Sequence, residues 1–72
     1  MIQFFQITGS SSFAVRCALE EIGAEYAAID IAPRDRSQPP SFAEVNPLKS
    51  VPALRDGASD VYEIGACFLY LA

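Results

Sequence analysis

Histidine is absent from the chain, and cysteine occurs only twice, at Cys17 and Cys67, far apart in sequence. Without an imidazole, no residue of this segment can do the acid–base work usually given to histidine. Without a second Cys or His close to either thiol, the zinc-binding and CxxC redox patterns are excluded as well. Positive charge is also scarce. Five Lys and Arg stand against nine Asp and Glu, for a net charge of −4. A phosphate backbone is bound by clustered cations, so nucleic acid is not an expected partner. No apolar run approaches the roughly 20 residues of a membrane span, and Met1–Phe4 lacks the basic start and long apolar stretch of a signal peptide. The expectation is a soluble, cytoplasmic domain that neither enters a membrane nor binds nucleic acid.

What is plentiful is apolar material. Of the 72 residues, 51% are hydrophobic and 19% charged, against roughly 25% charged in an average soluble domain. A chain this short forms one domain and buries only about 60% of the surface that its unfolded form exposes. Some of the apolar surplus is therefore expected to face another domain or subunit. The last residues, Ala66 to Ala72, read as a helix in mid-course, without a Gly or polar stop. A further segment is expected beyond them.

Ile2–Ile7 is β-rich and nearly continuous in apolar character, as expected of a strand buried on both faces. Thr8–Ser12 is a polar turn. Phe13–Ile22 is rich in Ala, Leu and Glu and stops at Gly23, which predicts a helix capped by one of the serines. Tyr26–Ile31 returns to strand character, so the first thirty residues form a βαβ unit with parallel strands. A Pro-, Ser- and charge-rich loop follows, interrupted by a short helical turn over Ser41–Val45. Val51–Arg55 and Ser59–Tyr62 flank an Asp56-Gly57-Ala58 turn and read as an antiparallel hairpin. Ile64, Cys67, Phe68 and Leu71 form one apolar stripe of a final helix. Phe68, Leu71 and Cys67 are expected to pack on the sheet, with Ala14, Cys17 and Ala18 of the first helix in the same layer. The order strand, helix, strand, helix, strand, strand, helix, with a four-stranded mixed sheet, is a thioredoxin-like α/β arrangement.

Three consecutive serines between a strand and a helix N-terminus are suggestive, because free N–H groups and the helix dipole favour an anion there, a thiolate included. They serve equally well as turn and cap residues. The stretch Asn46-Pro47-Leu48-Lys49-Ser50-Val51-Pro52-Ala53-Leu54, followed after the hairpin by Glu63-Ile64-Gly65-Ala66, resembles the N-terminal domain of glutathione transferases. Arg16–Gly23 and Tyr26 fit the same family, and the resemblance covers essentially the whole chain.

That resemblance implies a cis bond at Val51–Pro52, with the N–H and C=O of Val51 facing the cysteinyl backbone of glutathione. It implies that Glu63 and the residue after it hold the γ-glutamyl end of the tripeptide. Many members have Ser or Thr after the acidic residue and a long Gln, Lys or His before the Val-Pro pair. Here those positions are Ile64 and Ser50. A hydrogen bond lost from a charged group weakens binding by roughly 1.5–3 kcal/mol. The family's activating residue is a Tyr, Ser or Cys near the first turn, and Ser11 or Ser10 occupies that place here.

The expectation is therefore a glutathione-binding domain over residues 1–72, with the helical C-terminal domain of such enzymes outside this chain. Catalysis is expected from Ser11 or Ser10, and glutathione contacts from Ser50, Val51, Pro52, Glu63 and Ile64. Glutathione is the co-substrate, an electrophilic small molecule the second substrate, a homodimer the assembly, and no metal takes part. The alternative is a transferase-like domain that keeps the fold for protein contacts without catalysis. A glutaredoxin-like oxidoreductase is disfavoured, since no Cys lies in the first turn. Cys17 and Cys67 are expected to be free.

Overall fold

The computed structural model describes residues 1–72. Its elements are β1 (Ile2–Gln6), α1 (Ser12–Glu21), β2 (Tyr26–Asp30), α2 (Pro40–Val45), β3 (Ala53–Asp56), β4 (Ser59–Tyr62) and α3 (Ile64–Leu71). The sheet runs β2-β1-β3-β4. β1 is parallel to β2 and antiparallel to β3, which pairs antiparallel with β4. This is the thioredoxin-like order that the sequence pattern predicts.

Because side chains alternate along a strand, the central strands serve two cores. Phe4 and Leu54 meet Val15 and Leu19 of α1 and Cys67 of α3 on one face. Phe5, Ile7 and Ala53 meet Ile31 and, from α2, Phe42 and Val45 on the other. The Phe5 and Phe42 rings stack with centroids 5.4 Å apart. Full burial of such a side chain contributes roughly 1.5–3 kcal/mol, so Phe4, Phe5 and Phe42, each fully buried, hold the two layers to the sheet.

Two apolar helix faces differ from expectation. α1 buries Ser12, Val15 and Leu19, while Cys17 is exposed and Ala14 and Ala18 are only half-buried. In α3 Cys67 alone is fully buried; Phe68 remains 40% exposed and Ile64 38%. The reason lies in the size of the layer. Two short helices on a four-stranded sheet leave only their innermost line of side chains fully enclosed, so the flank of each stripe stays at the surface. Both cysteines are free.

Local chemistry sets the turns. Gly23 takes φ +71 after α1, where a left-handed residue ends the helix without a Cβ penalty. In the hairpin Asp56 remains in β3, and the tight turn is Gly57-Ala58, with Gly57 at φ +61. The bonds before Pro39 and Pro52 are cis.

Candidate functional site at one end of the sheet

The β1–β3 ladder ends at the pair Phe5–Ala53, and the β3–β4 ladder ends at Ala53–Tyr62. The segments leaving β1, entering β3 and leaving β4 therefore emerge side by side. They carry Ser10 and Ser11, then Ser50, Val51 and Pro52, then Glu63 and Ile64. The topology brings all seven of these residues to one sheet end, together with the N-termini of α1 and α3.

The three serines differ in what they can still do. Ile7 N–H donates to Ser12 Oγ at 3.3 Å. Ser12 Oγ and Ser10 Oγ are 2.6 Å apart, and Ser10 Oγ donates to Ile7 C=O at 2.6 Å. Read with Ser12 as donor, these bonds close a ring that locks the end of β1 to the start of α1. Ser10 Oγ also receives the Ser12 N–H at 3.2 Å, so its capping service goes to the first residue of the helix. Ser12 is 1% exposed. Ser11, at the N-cap position, is exposed and makes no capping bond. Only its hydroxyl is uncommitted.

Around β3 the organising residue is Asn46, which is fully buried. Its Nδ2 donates to Ser50 C=O at 2.9 Å and to Ser50 Oγ at 2.8 Å. Its Oδ1 accepts the Leu48 N–H at 3.0 Å. Lys49 sits between them at φ +56, its carbonyl held by Arg36 Nη1 at 3.0 Å. Val51 is half-buried, and neither its N–H nor its C=O has a partner within the chain. Backbone groups are seldom left unpaired when shielded from water, so these two groups are available to something outside the domain.

At the third segment Glu63 is exposed and holds φ +70, ψ 139. For a non-glycine residue that region costs on the order of 1–3 kcal/mol and is found where function demands a particular backbone direction. Its carbonyl accepts the Cys67 N–H at 2.9 Å, and the N–H groups of Ile64, Gly65 and Ala66 have no intramolecular partner. Such groups at a helix start attract carboxylates.

The concave surfaces lie elsewhere. The larger, about 460 Å³, is lined by residues that include Met1, Arg16, Glu20 and Tyr26, at the opposite end of the sheet. Its polar groups satisfy one another: Tyr26 Oη donates to Glu20 at 2.5 Å and accepts from Arg16 Nε at 3.3 Å. The bond to Glu20 raises the phenol pKa. The chemistry-bearing end is a rim, and nothing in this chain walls it in. No group of three or more His, Cys, Asp or Glu side chains converges for a metal.

The sequence profile described as "Glutathione S-transferase, N-terminal domain" matches residues 2–72. The chain belongs to that family. A glutathione transferase homolog from Sulfitobacter, solved with bound glutathione, is 31% identical and superposes with a TM-score of 0.86 over 100% of this chain and 36% of its own. The theta class glutathione S-transferase of Xanthomonas axonopodis pv. citri, also with glutathione bound, is 30% identical with a TM-score of 0.84, covering 99% of this chain and 35% of that one. Ure2p in complex with glutathione gives 31% identity and 0.84 over 97% and 34%. The chain thus spans about a third of the length of the solved structures it matches. No curated protein sequence matches it significantly.

The sequence does not announce the roles of Asn46 and Ser12. A signal for the first exists: an Asn directly after a short helix and before Pro, with Ser four residues on, is a side-chain-ordered turn. For Ser12, nothing in a run of three serines says which one turns inward.

Proposed function

We propose that this domain binds glutathione across the shared sheet end and activates its thiol for attack on an electrophilic small molecule, as a glutathione transferase. The observation that carries the reading is Val51, whose own N–H and C=O are both unpartnered beside a rim of free helix N–H groups. The glutathione held by the Sulfitobacter and Xanthomonas relatives supports it. The cysteinyl backbone of the tripeptide pairs with Val51 as one more strand next to Pro52. Its γ-glutamyl carboxylate lies at the start of α3, against the N–H groups of Ile64 and Gly65, and its ammonium group meets Glu63. Ser50 adds a hydroxyl beside the backbone.

Ser11 is the activating residue. Its free hydroxyl stands at the positive end of α1 and donates to the sulfur, which favours thiolate over thiol. Ser10, the second candidate, has its proton in the bond to Ile7. The thiol proton passes to solvent. The thiolate electron pair then forms the S–C bond while the leaving group departs with its own bonding pair, or while an activated double bond takes up the charge.

The electrophile needs a wall that this rim lacks. We assign that wall to a helical C-terminal domain outside these 72 residues. Phe13 at 66% exposed and Leu69 at 81% are apolar surface for it or for the second subunit of a homodimer. The same reading has the protein work in the cytoplasm, with no metal, nucleic acid or membrane involved. No helix is long and apolar enough to cross a membrane.

Calorimetry with glutathione on the intact protein tests the reading. Weak binding is expected, because Ile64 offers no hydroxyl, and Ile64→Ser should tighten it about tenfold or more. No binding by either protein overturns the proposal. Two observations favour a second reading, a transferase-like module that serves protein contacts without catalysis: Ile64 lacks the hydroxyl, and Ser50 Oγ is drawn toward Asn46. That reading leads if glutathione fails to bind, or binds without conjugation to any electrophile.

A further inference from the structure

We propose that Asn46 is a positioning residue for glutathione: by holding the carbonyl and hydroxyl of Ser50 from inside the fold, its amide aims the Val51 N–H and the Ser50 O–H outward at the ligand. The proposal rests on the reading above, in which Val51 pairs with glutathione.

Asparagine is among the residues seldom buried, and an amide taken out of water without partners is costly. Asn46 is completely buried and fully engaged. Both Nδ2 protons go to Ser50, at 2.9 Å to the carbonyl and 2.8 Å to Oγ, and Oδ1 takes the Leu48 N–H at 3.0 Å. Its own backbone is tied as well, N–H to Phe42 C=O and C=O to Lys49 N–H, each at 2.9 Å. Five hydrogen bonds thus converge on one side chain and its peptide groups, one anchoring it to α2 and four shaping the residues that lead into Val51.

The geometry of the peptide unit then does the aiming. In a trans peptide the C=O and the following N–H point in opposite directions. Because Asn46 turns the Ser50 carbonyl inward, the Val51 N–H must face away from the interior, and it meets no acceptor of this chain. Ser50 Oγ already accepts from Asn46, so its remaining proton is directed away from that bond. An incoming peptide meets two donors side by side, fit for a carbonyl or carboxylate oxygen. A plain turn residue would have no reason to hold both groups of Ser50 at once.

The test uses the intact protein labelled for NMR, with reduced glutathione as the probe. In the parent, the Val51 amide should exchange freely without ligand and at least tenfold more slowly at saturation. Ser50→Ala removes only the hydroxyl, so it should bind severalfold more weakly and keep the Val51 slowing. Asn46→Ala should bind at least tenfold more weakly and lose the slowing, while the amides of Phe4 and Phe5 in β1 keep their protection. A purely structural Asn46 would lower stability and leave Val51 slowed in the bound state. Glutathione binding to the parent without slowing Val51 overturns the proposal whether or not Asn46→Ala folds, as does parent-like affinity in a folded Asn46→Ala. A parent that binds no glutathione overturns the functional reading together with this one.

Discussion

Arg55 and Asp60 face each other across the β3–β4 hairpin, with the guanidinium Nε and Nη2 at 2.9 and 3.2 Å from the two carboxylate oxygens. Arg55 Nη1 also reaches Glu44 on α2 at 3.2 Å, so one guanidinium ties an edge hairpin to the helix beneath it. The Arg55 hydrogen bonds hold the Asp60 carboxyl below its ordinary pKa.

The sign of the resulting pH dependence follows. A carboxyl whose folded pKa is depressed adds stability above its unfolded value, about 3.9, and that stability is lost as pH falls through the folded value. Urea midpoints measured between pH 7 and pH 2.5 should therefore fall less steeply for Asp60→Asn than for the parent. The difference is expected to be small, because the pair is partly exposed and screened. Identical slopes would show that the hairpin pair contributes nothing.

Phe4→Ala should cost about 3–5 kcal/mol, since its ring is fully buried between α1, α3 and the sheet. In a domain of this size that approaches the whole stability. Phe68→Ala should cost well under that range, with the ring 40% exposed. Thermal melts of the two variants beside the parent decide the order, and a Phe68 variant as damaged as Phe4→Ala would place the α3 ring in the core.

Cys67 should resist alkylation. It is fully buried, and burial pushes its thiol up to about 11, so little thiolate forms near neutral pH. Mass spectrometry after brief iodoacetamide treatment at pH 8 should find Cys67 unmodified in the folded protein and modified once denaturant is added. Rapid native labelling of Cys67 would mean that α3 opens readily.

The serines should separate by consequence. Ser11→Ala should raise the pKa of glutathione bound to the intact protein by up to about one unit, or about 1.4 kcal/mol of thiolate stabilisation, and leave the melting temperature near that of the parent. Ser12→Ala breaks the ring at Ile7 and should cost about 1–3 kcal/mol of stability. Ultraviolet titration of the thiolate, with melts alongside, measures both. A bound thiol pKa unmoved by Ser11→Ala removes that residue from the chemistry.

Much of this was legible in the sequence because it rests on short-range patterns. The βαβ and hairpin units follow from β-rich runs, Gly23 and the Asp56-Gly57 turn, and the Asn46–Leu54 stretch points to the family. Residues 10, 11, 50–52, 63 and 64 could be named together because the family resemblance implies them, and the strand pairing brings their segments to one sheet end. What could not be read was direction. An apolar period gives a stripe but not how much of it a small sheet can cover, so Phe68 and Cys17 came out at the surface. A run of serines is chemically uniform in sequence, and only the closed ring through Ile7 distinguishes Ser12 and Ser10 from Ser11. The Glu63 backbone, at φ +70, carries no signature in its side chain.

The division between rim and layers has a consequence for how such a domain can change over generations. Phe4, Phe5, Phe42, Leu19 and Leu54 carry cohesion from within the strands and helices, whereas Ser11, Glu63 and Ile64 lie outside both buried clusters. Exchanging the side chain at position 11, or placing a hydroxyl at position 64, perturbs neither layer. Chemistry can drift here at little cost in folding. Asn46 is the exception, because it is enclosed in the fold and also holds Ser50 at the rim, so a lineage that altered it would change stability and rim shape together.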